Sequence, residues 1–472
     1  TQHDAGILLT SLGAQQVLDF IAHCPVETLK EHPLSLLVLM RSMFNWRQIP
    51  KMLELKELLL AAITEHPDWP ESERGDLLGE CDLIMSFLMY NDISAMSRLH
   101  RSASAQMSRP AISIQKSGGW TFGSPSVLMM FYRASGELQS ELTEMDECMP
   151  HYYKITNGHG QGAETIMRAE ADFMRACFAD AQIMLERAYA QIDGNGQENM
   201  ALCCDFLAWR LSLCTSFTPR ESFGREALLG LHNVAWLNIL QSSCAYYYAL
   251  LGLPEKIPAV FREHQLASIH FLAPGKPMME LIENQVYLAQ GEYAKVIGRS
   301  EALLGMCEAM HYALVALHIR LQTAAAYEML GKRETADELL ISALAAAEPD
   351  ALYLPFVENY RYLKTALTRG AGAKFAAFVR TVTPLGENFV RRCGEKRAEG
   401  SRPAALAGLT ERESAIAALV AKRLSNREIA QKCYLSEGSV KQYVNQIYSK
   451  LHIEGDTRTK RAQLAALLHE KT

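Results

Sequence analysis

The chain has 472 residues, more than one hydrophobic core accommodates and enough for about three domains at roughly 150 residues each. With 49% hydrophobic and 21% charged residues it falls in the globular range, which excludes a chain that is disordered or fibrous throughout. The net charge of −6 is unevenly spread: residues 1–365 hold 28 Lys and Arg against 43 Asp and Glu, residues 366–402 hold 8 against 3, and residues 403–472 hold 11 against 7. An acidic body with a cationic end points to a polyanion partner at the C-terminus and argues against nucleic acid wrapped around the body.

No stretch reaches about 18 consecutive apolar residues free of charge and proline. The opening TQHDAGILLTSLG lacks the basic start and cleavage pattern of a signal peptide. A soluble, cytoplasmic protein with no membrane partner is expected, and the start at Thr1 rather than methionine implies a segment removed upstream. The eleven cysteines are odd in number, sit in apolar surroundings and form no CxxC pair, so free and mostly buried thiols are expected. Adjacent Cys203 and Cys204 cannot both face one core on a helix, which makes one of them a candidate reactive thiol.

In chain order, residues 1–32 read as a helical lead-in and 33–368 as a helical repeat domain, because 3.6-residue periodicity dominates and period-two alternation is nearly absent. Leu314, Leu317, Leu321 and Ala324 form one apolar stripe, Leu330-Gly331 ends that helix, and Ala336, Leu339, Leu340, Ala343 and Ala347 form the stripe of its hairpin partner. The spacing of Ala336, Leu340 and Ala343 recurs at Ala181, Leu185 and Ala188. Turns predicted near Asp180, Gly252, Gly291 and Gly331 suggest a period of about 36 to 40 residues, that of a helical-hairpin solenoid with a concave binding face. The A-x3-L-x2-A spacing resembles tetratricopeptide repeats, without their first-helix tryptophan and tyrosine signature.

Two stretches break the rhythm, SGGWTFGSPS at 117–126 and MPHYYKITNGHGQGAE at 149–164, and are predicted to be loops. Their residues Trp120, Phe122, His151, Tyr152, Tyr153, Asn157 and His159 are candidates to stack on and hydrogen-bond a small polar effector. The alternative is ordinary packing between repeats. GHGQG at 158–162 reads either as a flexible helix entry or as an anion-binding turn. Of Tyr246, Tyr247 and Tyr248, which span about 200° of one helix, at least one is expected to reach beyond its own core.

Sequences of the form GxxxxGK[ST], HExxH, GxSxG and strand-linked GxGxxG are absent, and the fourteen histidines form no i, i+4 metal pair. No catalysis, metal or cofactor is therefore expected in this chain. Residues 369–405, rich in glycine and basic residues, read as a linker whose earlier part, KFAAFVRTV, has helical character.

A compact C-terminal domain, 406–472, follows. Thr410 and Glu413 stand in capping-box spacing before Ile416, Leu419 and Val420, and Ser425 and Glu428 repeat the device before Ile429, Ala430 and Cys433. In the next helix Val440, Val444, Ile447 and Leu451 fall within about 60° of arc, while Gly438, Lys441, Gln442, Asn445 and Ser449 collect opposite. An apolar face backed by amide and cationic side chains suits the major groove, where Lys reaches guanine acceptors and Gln or Asn pairs with adenine edges. Ser425, Asn426, Arg427 and Lys450 are candidate phosphate contacts, and Ser436, Ser439 and Tyr443 complete the candidate DNA-binding set.

The segments LTERE (409–413), SNREIA (425–430) and LSEGSVKQYVNQIYSKL (435–451) resemble the LuxR-type helix-turn-helix family. The resemblance implies a four-helix domain whose third helix enters the major groove with Lys441, Gln442 and Asn445, and whose last helix, about Thr457 to Leu468, pairs two subunits on DNA. The chain departs from that pattern at Arg423, Ser439, Tyr443 and His452, the last standing where glycine often ends the helix. More weakly, YLAQGEYAKVIGRSEALL (287–304) and MLGKRETADELLISALAAAEPDALYLPFVEN (329–359) resemble the repeat domain of large, MalT-like ATP-binding LuxR-family regulators. That likeness implies an all-α sensor arm that binds an effector, with ATP confined to an upstream module. A bacterial transcriptional regulator is expected, with double-stranded promoter DNA, an effector, a second copy on DNA and RNA polymerase as partners. The rival reading is a repeat scaffold that binds a protein through its groove.

Overall fold

The computed structural model describes residues 9, 12–116, 118–220, 234–269, 272–370, 374–400, 409, 411–422, 424–433, 435–453, 455–456 and 459–464. All regular structure among the described residues is helical, as the periodicity predicts, and the chain forms two compact units, Thr1–Cys393 and Gly394–Thr472.

The first unit begins with α1 (Ala14–His23) and continues through helices that pack as consecutive antiparallel partners: α2 (Pro33–Asn45) with α3 (Ile49–Glu65), then α4 (Glu71–Ser86) with α5 (Ile93–Gln106). A long irregular stretch leads to α6 (Leu138–Ile155), which packs on α5. Then come α7 (Ala163–Met174) with α8 (Phe178–Ile192), α9 (Glu198–Cys214), α10 (Val234–Leu251), α11 (Lys276–Gln290) with α12 (Tyr293–Ala309), and α13 (Ala313–Met329) with α14 (Arg333–Ala347). The unit closes with α15 (Tyr360–Gly370) and the greater part of α16 (Ala376–Gly400), whose residues from Gly394 onward belong to the second unit.

The hairpins form for the reasons the stripes give. Leu314, Leu317, Leu321 and Ala324 on α13 are buried, as are Ala336, Leu340, Ala343 and Ala347 on α14. The alanines let the two backbones approach closely. Gly291 and Gly331 take φ of 79° and 74° between paired helices, conformations that favour glycine. Two of the predicted turns differ. Asp180 lies in the first turn of α8, and the reversal falls just before it, where Ala176 takes φ of 61°. Gly252 ends α10 rather than joining a helix to its hairpin partner, so its spacing to Gly291 is not a repeat period.

Helix α9 is buried on every side from Asn199 to Cys214. Cys203 and Cys204 are therefore both buried although they point in different directions, and burial pushes the Cys203 thiol well up. This corrects the candidate reactive thiol, since a thiol held protonated in an enclosed helix is a poor nucleophile.

Two further corrections concern segments read as irregular. Helix α6 runs through Pro150 to Ile155, because Leu138, Leu142, Met145, Met149 and Tyr152 stay on one buried face. The stretch read as a linker from residue 369 is helical from Ala376 to Gly400. Phe375, Phe378, Val382, Phe389 and Cys393 are buried in the core of the first unit. Gly386, which reads as a breaker, instead allows close packing, since a Cβ there would lie 2.2 Å from the Tyr360 ring.

In the second unit α17 (Glu411–Ala421), α18 (Asn426–Cys433) and α19 (Glu437–Lys450) pack together, and residues 459–464 are again helical. The core comprises Ile416, Ala417, Val420, Ile429, Val440, Val444, Ile447, Ile453 and Leu464.

Candidate functional site

Local hydrogen bonds set the second unit's helix starts. At α18, Glu428 Oε2 accepts from the Ser425 amide at 2.7 Å and its hydroxyl at 2.6 Å, and the Glu428 amide donates back to Ser425 Oγ at 3.3 Å. These bonds hold the Glu428 carboxyl below its ordinary range. At α19, the Ser439 amide donates to Ser436 Oγ at 3.1 Å. Thr410, Arg423 and half of the predicted last helix lie outside the described residues.

On α19, Val440, Val444, Ile447 and Tyr448 are buried, whereas Gly438, Lys441, Gln442, Asn445 and Ser449 are exposed. The other candidates are partly occupied. Lys450 Nζ donates to the buried Glu413 carboxylate at 2.7 Å, which engages Glu413 in an ion pair across the fold. Asn426 Oδ1 accepts from Arg461 at 2.8 Å, and Arg461 also donates to the Leu424 carbonyl at 2.7 Å. Tyr443 is half-buried against the core with the Arg412 guanidinium 5.9 Å from its ring centre. Arg427 and Ser425 remain exposed at the start of α18. His452 takes φ of 51°, so this chain makes with a side chain the left-handed turn that glycine makes without strain.

The first unit contains a cavity of about 270 Å³ between α2, α5, α6 and the irregular stretch after α5. Four of the seven predicted effector residues line it: Trp120, Phe122, Tyr152 and His159. The other three do not. His151 is half-buried away from it, Asn157 is exposed in a left-handed turn, and the Tyr153 hydroxyl donates to the Glu164 carboxylate beside the Gly160 carbonyl. Of the residues not singled out in the sequence, Arg41, His100 and Phe131 matter most. Arg41 carried a legible signal, a lone cation between Leu39-Met40 and Met43-Phe44.

Hydrogen bonding fixes the cavity's imidazoles. His159 Nε2 lies 3.2 Å from the Gly118 carbonyl and must donate to it, so Nδ1 accepts the Tyr152 hydroxyl at 2.7 Å. The Ser86 hydroxyl donates to the Leu83 carbonyl at 2.6 Å, which leaves its oxygen to accept from His100 Nε2 at 2.9 Å. Burial pulls His159 down to about 4 and His100 down to about 3, so both rings are neutral at physiological pH. The wall itself is pinned from α9: Asn199 Oδ1 accepts from the Trp120 and Thr121 amides at 2.5 and 3.0 Å. Gln197 holds the next turn by accepting from the Gly160 amide at 3.0 Å and donating to the Gly158 carbonyl at 2.9 Å. GHGQG is thus a turn whose amide and carbonyl are already engaged on Gln197. Among the described residues there is no group of three or more His, Cys, Asp and Glu able to hold a metal, and no helix long and apolar enough to cross a membrane.

Three short helices around one core, with an exposed polar face on the third, define a helix-turn-helix unit. Residues 407–462 match the family described as bacterial regulatory proteins, luxR family. The C-terminal unit therefore carries a luxR-family domain. A similar protein is the transcriptional regulatory protein LnrK of Bacillus subtilis (strain 168), 41% identical over 68 residues. That stretch is 14% of this chain and 31% of the relative, so the chain spans about a third of the length of the curated protein it matches.

Proposed function

We propose that the chain is a cytoplasmic transcriptional regulator whose C-terminal unit binds promoter DNA and whose helical unit senses an effector. One observation carries the reading: within the stretch matching the luxR family, α19 buries its apolar face and exposes Lys441, Gln442 and Asn445 together. In this reading α19 enters the major groove, with Lys441 on guanine acceptors and Gln442 or Asn445 on adenine edges. The start of α18, with Ser425 and Arg427, approaches a phosphate, and Ser436 and Ser439 act chiefly by capping α19. The reading assigns no catalytic step to the chain. Dimerisation on DNA through the last helix, contact with RNA polymerase, a tetratricopeptide-like sensor arm and ATP held by an upstream, MalT-like module belong to the same proposal.

The test is a fluorescence-anisotropy titration of the whole chain against duplexes selected from a random pool, at several salt concentrations. Lys441→Ala and Asn445→Ala are each expected to weaken specific binding by about 1–3 kcal/mol while leaving the helical content and core packing intact. Because both side chains are exposed, the substitutions remove no core contact. Undiminished affinity in both variants would overturn the groove assignment, and absence of any selected sequence would favour the scaffold reading.

A further inference from the structure

The first unit holds a recess of about 270 Å³ walled largely by buried side chains, the concave and mostly apolar form that small-molecule sites take. A cavity of about 150 Å³ suffices for benzene, which makes this one large enough for a substituted ring or a fused bicycle. Its walls suit a flat, polarisable ligand. Trp120 and Phe131 lie with ring centres 5.3 Å apart, Tyr152 and His100 are 5.1 Å apart, and Met145 and Met149 supply thioethers. Thioethers and aromatic edges pack favourably on aromatic faces.

The polar groups are few and specific. Arg41 is the only charged side chain among the described lining residues. Its Nη1 donates to the Ser113 carbonyl, which fixes the guanidinium's position, and the nearby Glu80 is shared with Arg109 at 3.3 Å. Burial keeps Arg41 below the usual guanidinium range despite Glu80. A second anion in the cavity would stabilise that cation. A planar guanidinium is the cation best matched to a carboxylate. His159 has both nitrogens engaged within the protein, so it does not compete for the ligand's acidic group.

We propose that this cavity binds an aromatic monocarboxylate, its one- or two-ring body among Trp120, Phe131 and Tyr152 and its carboxylate on Arg41. The inference rests on the reading of the helical unit as a sensor and names the chemical class of its effector. A dicarboxylate or a sugar fits less well, because the cavity offers one cation and mostly apolar walls.

The experiment titrates the whole chain, without DNA, with benzoate, phenylacetate and indole-3-acetate, and with the matching neutral amides. Binding is followed by calorimetry and by tryptophan fluorescence. At least one acid is expected to bind saturably and to exceed its amide by about ten- to hundredfold, the range for a charge-assisted hydrogen bond. Arg41→Gln should remove that preference, Arg41→Lys should retain part of it, and Trp120→Phe should diminish the fluorescence response. Should the Arg41 variants fail to fold, Met96→Phe, which fills the cavity while leaving Arg41 in place, is expected to abolish binding. Equal binding of acid and amide, binding unaffected by Met96→Phe, or no saturable binding by any acid would each overturn the proposal. Because no DNA is present, these results are independent of the DNA-binding test, and a failure here is distinguishable from a failure of the regulator reading.

Discussion

Removing the Glu358 carboxylate should be among the most damaging single changes in the first unit. Arg210 and Glu358 each have side chains 1% exposed and form a two-point pair, with Nε to Oε1 at 2.7 Å and Nη2 to Oε2 at 3.2 Å. The Tyr246 hydroxyl donates to Glu358 Oε2 at 2.8 Å, and the rings of Phe173, Phe206 and Tyr246 surround the guanidinium at 4.9–5.7 Å. Glu358→Ala strands a guanidinium and a phenol hydroxyl in this enclosure and is expected to destabilise by about 3–5 kcal/mol. The combination Arg210→Met, Tyr246→Phe and Glu358→Leu removes the three hydrogen-bonded polar members at similar volume and should cost less than the single change. Urea unfolding of the whole chain, followed by far-UV circular dichroism, measures both. If the single variant loses less than about 1 kcal/mol, or the triple variant loses more than the single, Glu358 does not balance a buried charge on Arg210.

Two smaller perturbations follow from the same reasoning. His452→Gly relieves a left-handed side chain after α19 and is expected to stabilise the second unit by about 1 kcal/mol in thermal denaturation of the whole chain. His159 is depressed to about 4, so the unfolded chain binds a proton that the native chain refuses between about pH 4 and 6.5. Its contribution is fully present above about pH 6.5 and is lost as pH falls towards 4, a slope of about 1.4 kcal/mol per pH step for one proton. His159→Gln retains an acceptor for Tyr152 and a donor for Gly118, and should reduce the acid-side slope of the stability curve, measured by urea midpoints from pH 4.5 to 7, by the share of one proton, while His100 keeps its own.

What was legible in the sequence was local. The stripes on α13 and α14, the Ser425–Glu428 capping box and the two faces of α19 depend on residues a few positions apart, so the helical repeat displays them directly. The cavity is assembled from residues between Arg41 and Leu272, and only its loop portion drew attention through glycine and aromatic content. Pattern also misled where composition and packing disagreed. Gly386 and the basic residues of α16 imitate a linker, yet Phe378, Val382 and Phe389 recur at intervals that keep one side of the helix in the core. Lys450 was free by pattern, but the fold brings Glu413, 37 positions earlier, within 2.7 Å.

Helix α9 shows why the cavity and the buried ion pair belong to one mechanical problem. Its first turn holds the cavity wall through Asn199, and Gln197 just before it holds the adjoining turn. Three turns on, Arg210 meets Glu358, which lies 148 positions away in the sequence. A helix enclosed on every side cannot shift one end without repacking neighbours along its length. The wall that carries Trp120 is therefore positioned by the core rather than by its own irregular backbone, and a substitution at Asn199 should disturb the cavity more than one at an exposed loop residue such as Asn157.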